Sequence, residues 1–239
     1  MIAITFALPV ESSRFIRSLR ERQRVACSET QIVHGRINGH AVVVFHTGVG
    51  EEICRRRMRE FLQDRQFRLL ISAGFAGALT HELDVGRVLL ARNFSTVKLE
   101  SARAALSELR PLTSDLATVS HILDSTADRT RTAQQTGAVA ADMETDFIAR
   151  ACAEHAISLL TLRVISDTPA RPLPAPPDVL FDLAEQKTKL SRIGVYLAKH
   201  PMTFPRLLFF AQQASGARRA LTAALGTLLR SDFVAPFIS

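Results

Sequence analysis

Short apolar, β-branched runs alternate with helically periodic stretches along most of the chain. Residues 2–8 read as a strand, and residues 11–24 as a helix burying Phe15, Ile16 and Leu19. Residues 31–37 and 40–47 flank Asn38-Gly39, the dipeptide of a two-residue hairpin turn. Over 51–63, Cys54, Met58, Phe61 and Leu62 share one helical face and the arginines lie largely opposite. Residues 68–73 and 87–94 predict buried strands. Between 95 and 136 the pattern is weakest; it predicts helices at 99–108 and 116–134 around a loop at 110–115. Residues 138–142 then read as a short strand, 145–155 as a helix and 157–165 as a strongly apolar strand. A proline-rich loop, Pro169 to Pro177, leads to a helical stretch at 179–199. Two more helices end the chain. Phe204, Leu207, Leu208 and Ala211 stripe one; Leu221, Ala224, Leu225, Leu228 and Leu229 stripe the other. Strands alternating with helices predict an α/β sandwich around a largely parallel or mixed sheet.

Composition narrows the function classes. The chain has 239 residues, 47% of them hydrophobic, enough to build a core and to exclude a disordered segment. Cys27, Cys54 and Cys152 stand far apart with no metal-ligand spacing, so no metal site is expected, and isolated thiols suit a reducing cytoplasm. The apolar opening stops at Glu11 without a basic start, unlike a signal peptide, and no apolar run reaches membrane-span length. A net charge of +7 raises a nucleic-acid reading. The densest basic run, Arg55-Arg56-Arg57 with Arg59, sits next to Glu51, Glu52 and Glu60, which favours a solvated helix face, and no nucleic-acid partner is expected.

In open α/β sheets ligands lie outside the carboxyl ends of the strands. The predicted strands end in Pro9-Val10-Glu11, Thr47-Gly48-Val49-Gly50, Ala73-Gly74-Phe75-Ala76-Gly77, Asp142-Met143-Glu144 and Ser166-Asp167-Thr168. Glu11, Glu144, Asp167 and two glycine turns therefore collect at one edge, where mutual repulsion of carboxylates favours acid/base work and backbone N–H groups can approach a ligand. Each piece has a plainer reading. Glu11 and Glu144 suit a helix first turn, and Asp167 suits a turn before prolines. His34, His40 and His46 read as strand-face residues.

Taken together, these segments resemble the purine nucleoside phosphorylase/nucleosidase superfamily, in the branch of methylthioadenosine/S-adenosylhomocysteine nucleosidases. Gly137-Ala138-Val139-Ala140-Ala141-Asp142-Met143-Glu144-Thr145 is similar to that family's GAxAVDMES segment, and Leu162-Arg163-Val164-Ile165-Ser166-Asp167 to its IRxISD segment. Both glycine segments and Glu11 follow in family order. The resemblance implies a three-layer α/β/α sandwich around a central mixed sheet, with a catalytic domain over 1–200 and a helical extension over 201–239. It implies cleavage of a purine nucleoside's glycosidic bond, by hydrolysis or phosphorolysis, with no cofactor. By the same resemblance Asp167 is the general acid toward purine N7, Glu144 binds ribose hydroxyls and Met143 packs on the sugar. Glu11 orients the nucleophile, and Arg163 holds it or an anion. Thr47, Gly74, Phe75, Ala76 and Ser166 line the substrate, and Asp115, with Thr113 and Ser114, is the expected base-side loop. Phe75 stands where the family has a hydroxyl residue, so a nucleoside-binding protein without turnover is one alternative. The tail is similar to that of hopanoid-associated phosphorylases, which would act on an adenosyl-lipid precursor; helices packed on the domain are the favoured reading over contact with a membrane surface. A homodimer or larger homo-oligomer is expected.

Overall fold

A computed structural model describes residues 1–27, 30–180 and 190–238. Its framework is one sheet in the order β2 (Arg20–Cys27), β3 (Thr30–Ile37), β4 (His40–His46), β1 (Ile2–Phe6), β5 (Leu69–Ala78), β10 (Ser158–Asp167), β6 (Val88–Ala91), β7 (Leu112–Ser114). The central strands β4, β1, β5 and β10 run parallel, and β6 is antiparallel to β10, so the sheet is mixed. Two short strands, β8 (Leu116–Thr118) and β9 (Ala140–Asp142), pair with each other, and β9 joins the far end of β5 through Gly77 and Ala78.

Helices cover both faces because successive strand residues point to opposite sides. Ile2, Ile4, Phe6, Ile71 and Leu162 pack beneath α1 (Pro9–Ser18), α3 (Leu99–Ala105) and the second half of α8 (Phe204–Leu228). Ala3, Phe45 and Leu70 pack beneath α2 (Glu51–Leu62) and α5 (Thr145–Glu154), where Phe45 stacks on Phe61 at 4.2 Å between centroids. Among the described residues the remaining α-helices are α4 (Thr126–Thr136), α6 (Pro177–Leu180) and α7 (Leu190–Lys199). The three-layer α/β/α architecture is the expected one. On α2, Cys54, Met58, Phe61 and Leu62 are buried as the periodicity predicts, while Arg55, Arg56 and Arg59 lie exposed. Asn38 and Gly39 take positive φ values of 51° and 85°, the conformation of the predicted hairpin turn.

Four expectations change. The first helix ends at Ser18, and Arg20–Cys27 is an edge strand paired with β3; residues 20–24 offer no apolar position to extend the helical stripe. Residues 116–134 are not one helix. Leu116–Thr118 is a strand held by β9, and α4 starts after Ser125, whose hydroxyl accepts from the Asp128 N–H at 3.0 Å. The segment at 73–77 is not a loop, because β5 continues through it in register with β10. The two tail helices are one, running unbroken through Gly216. Only its second half is buried; Phe204, Leu208 and Phe209 stand exposed. Of the helix expected at 179–199, residues 181–189 lie outside the described residues.

Candidate functional site

At the carboxyl ends of β1, β4, β5 and β10 a cavity of about 20 Å³ opens beneath the N-terminus of α5. Thr5, Glu11, Thr47, Gly74, Glu144 and Arg163 are among its walls, with Phe75 and Ser72 beside them. Glu11 stands in the first turn of α1, where its Oε2 accepts from the Leu8 N–H at 3.0 Å. Its Oε1 accepts from the Phe75 N–H, also at 3.0 Å, which fixes the carboxylate over β5. Burial pushes the Glu11 carboxyl above its ordinary value, opposed by those backbone N–H groups and by the charge of Arg163.

Glu144 approaches from the opposite wall. It precedes α5, and its Oε1 accepts from the Gly50 N–H at 3.0 Å. Gly50 caps α2 with φ +89°, a conformation that strains residues with a β-carbon. Burial first, then the charges of Asp142 and Glu11, push the Glu144 carboxyl up to about 8. The neighbouring Asp142 turns away from the cavity and accepts from Arg163 Nε at 2.8 Å and Thr118 Oγ1 at 3.2 Å.

Arg163 lines the cavity, yet every one of its N–H groups is engaged. Beyond the Nε bond, Nη1 donates to the carbonyls of Ser72 (2.8 Å) and Leu162 (3.0 Å). Nη2 donates to the hydroxyls of Ser72 (3.0 Å) and Thr145 (2.6 Å). A guanidinium has five N–H donors, so none is left for a ligand. Thr5, 1% exposed, has the opposite condition: its Oγ1 has no hydrogen-bond partner among the described residues. His46, hydrogen-bonded to Ser12 at 2.7 Å, is pushed down to about 4 by burial and by Arg57, so it stays neutral.

A larger cleft of about 440 Å³ lies on the other side of the Asp142–Glu144 turn, walled by Met143, Phe94, Val119, Phe147, Thr118 and Ser120, with Glu51 and Asp146 beside them. That volume suits a small-molecule ligand.

The predicted residues thus divide. Glu11, Thr47, Gly74, Phe75, Glu144 and Arg163 meet at the cavity, and Met143 faces the cleft. Ala76 is buried in a separate apolar cluster with Ala78 and Ile165. Ser166 donates to Asp167 Oδ1 at 2.7 Å, and the other Asp167 oxygen accepts from buried Arg129. Asp115 sits apart from both hollows, in an ion pair with exposed Arg92 at 2.8 Å; Thr113 and Ser114 belong to strand β7. The sequence reading missed Thr5, Ser72 and Arg129. A lone hydroxyl in the apolar run Ile2–Phe6 is the one signal that pointed to Thr5.

Cys54 and Cys152 are buried, and burial raises both thiols, Cys152 to about 12, so neither is a nucleophile. Among the described residues no His, Cys, Asp or Glu group is arranged to hold a metal ion, and no helix is long and apolar enough to cross a membrane.

In sequence alone no curated protein matches the chain. Solved structures share its fold. An S-adenosylhomocysteine nucleosidase from Streptococcus pyogenes, in complex with 5-methylthiotubericidin, superposes with a TM-score of 0.71 at 16% identity, over 96% of this chain and 95% of that one. The 5'-methylthioadenosine/S-adenosylhomocysteine nucleosidase of S. pneumoniae, with a transition-state inhibitor, gives 0.71 at 18% identity, over 96% and 98%. A futalosine hydrolase mutant of Helicobacter pylori gives 0.61 at 14%, over 70% and 87%. The model of one family, the phosphorylase superfamily, matches residues 1–104 and 99–199. Those two spans run through the whole sheet and both carboxylate walls of the cavity, and the chain belongs to the phosphorylase superfamily.

Proposed function

We propose that the protein hydrolyses the N-glycosidic bond of a purine nucleoside, one containing adenine, and that water rather than phosphate is the nucleophile. The observation that carries this reading is the cavity between Glu11 and Glu144. Its volume of about 20 Å³ admits about one water molecule. A phosphate would meet two carboxylates there and an arginine whose five donors are all engaged. Thr5 Oγ1, buried and unpartnered among the described residues, is a ready hydrogen-bond partner for such a water.

In the reaction the C1'–N9 bond breaks and its electron pair goes to the purine. Asp167 passes a proton to purine N7 as the charge develops. The sugar becomes oxocarbenium-like, a cation that the carboxylates of Glu11 and Glu144 stabilise. Water forms the new bond to C1', and its proton goes to Glu11. Its raised proton affinity makes the Glu11 carboxylate a stronger base than that of an exposed glutamate. Glu144 accepts from the ribose hydroxyls, and the cleft beside Met143 takes the part of the nucleoside beyond the ribose.

Product analysis tests the reading. The protein is incubated with methylthioadenosine, S-adenosylhomocysteine or adenosine in phosphate buffer, and the sugar product is identified. Free sugar with free adenine supports hydrolysis. A sugar 1-phosphate overturns it, and saturable nucleoside binding without base release identifies a binding protein instead.

A further inference from the structure

Two arginines of the described chain are buried to within a few per cent, Arg163 at 3% exposed and Arg129 at 2%. Arg163 stands in the cavity wall and braces Asp142 behind it. Arg129 belongs to no motif and stands on α4, a helix with no other buried residue. Its Nε donates to the Leu123 carbonyl at 3.1 Å and its Nη1 to the Ala78 carbonyl at 2.8 Å. Its Nη2 donates to Asp167 Oδ2, making a buried ion pair. Gly77 leaves the space for this pair: a β-carbon there would lie 3.1 Å from Asp167 Oδ2 and 3.3 Å from Arg129 Nη1. A buried guanidinium is costly unless its partners are well placed. Here one side of the fork is anchored on two backbone carbonyls, so the ion pair has a fixed position relative to β5.

We infer that Arg129 is the positioning residue for Asp167 in the hydrolysis proposed above, an inference that rests on that reading. With Ser166 on Oδ1 and Arg129 on Oδ2, the carboxyl has one orientation. The step needs Asp167 protonated, so a proton from solvent first joins the ion-paired carboxylate; its O–H bond then breaks as the N–H bond at purine N7 forms, and the carboxylate returns to the ion pair. Arg129 acts by holding that carboxyl in one place through the transfer, without touching substrate.

A double-mutant cycle tests this on the purine nucleoside the protein cleaves fastest, with Asp167→Asn, Arg129→Met and the pair, and with Arg129→Lys as the conservative variant. Arg129→Met is expected to lower kcat about 10²-fold in the wild-type background, within the range of acid catalysis, with KM little changed. It should cost nothing further in the Asp167→Asn background, and Arg129→Lys should recover part of the loss. The same losses added in full on top of Asp167→Asn, or an unchanged kcat in Arg129→Lys and Arg129→Met alike, overturn the inference. Should Arg129→Met fail to fold, the cycle is run with Arg129→Lys and decided by the same criterion. If Asp167→Asn itself retains wild-type turnover, the assignment of the acid fails and takes the role of Arg129 with it. If Asp167→Asn is impaired while Arg129 acts independently, only the inference fails.

Discussion

Glu144→Gln should make the protein more stable in alkaline buffer and less stable in acid. Glu144 is buried between Asp142 and Glu11, and its affinity for a proton rises from 4.5 to about 8 on folding. Folding therefore favours the protonated form: the group's contribution to stability is complete below about pH 4.5 and is lost as the pH rises through about 8. At about 1.4 kcal/mol for each unit of that interval, the ionised group costs the fold on the order of 4–5 kcal/mol at pH 9. Glutamine carries no charge and can still accept from the Gly50 N–H. Its amide N–H₂ needs partners of its own, a cost of about 1–3 kcal/mol. The net gain at pH 9 is then about 1–4 kcal/mol, which for a chain of this size is a rise in Tm of roughly 2–16 °C. At pH 5 the amide cost stands alone and the variant melts below the wild type. Thermal melts of both proteins from pH 5 to pH 9 measure this. A difference in Tm that stays constant across that range would refute the reasoning.

Four further outcomes follow from the same geometry. Nucleoside binding near pH 7 should release protons, because ribose hydroxyls donating to Glu144 favour its charged form; calorimetry in buffers of different ionisation enthalpy reads this, and no buffer dependence would count against it. Thr5→Val removes a buried hydroxyl without a protein partner, so it should raise Tm slightly while lowering turnover about 10-fold or more through loss of a contact to the attacking water, an outcome that unchanged kinetics would contradict. Removal of residues 217–239 strips Leu221, Ala224, Leu225 and Leu228 from the core and should give insoluble or unfolded protein, whereas a well-folded truncation would show that the tail is dispensable. Sedimentation at micromolar concentration should show a homodimer or larger assembly, as the family resemblance implies, rather than a 26.3 kDa monomer.

What could be read from the sequence was whatever period and motif carry. The buried face of α2, the Asn38-Gly39 hairpin and the strand before Asp167 each repeat or punctuate within a few residues, and they fold as the pattern implies. The cavity's two carboxylates were legible for a different reason, because each follows a strand and so had to lie on one edge of the sheet. Three-residue strands are too short to show alternation, which is why Leu112–Ser114 and Leu116–Thr118 carry the pattern of a loop and a helix. Gly74 and Gly77 have the sequence mark of turn residues, although here their small size lets carboxylates pack against a continuous strand. Arg163 was legible as a member of the site but not as a saturated one, since hydrogen-bond satisfaction depends on Ser72 and Thr145, residues distant from it in sequence. Arg129 lay beyond reach altogether: its pairing with Asp167 spans 38 positions and leaves no mark on the polar pattern of its helix.

Solvent isotope labelling tests the central claim most directly. The protein is allowed to cleave its best purine nucleoside in water enriched in ¹⁸O, with unlabelled phosphate present, and the sugar is analysed by mass spectrometry after a time short enough to limit exchange at C1'. The water-sized cavity and the fully engaged Arg163 predict one solvent oxygen at C1' of the free sugar and a rate that does not depend on phosphate. A sugar phosphate carrying no solvent oxygen, formed at a rate that rises with phosphate, would contradict the account.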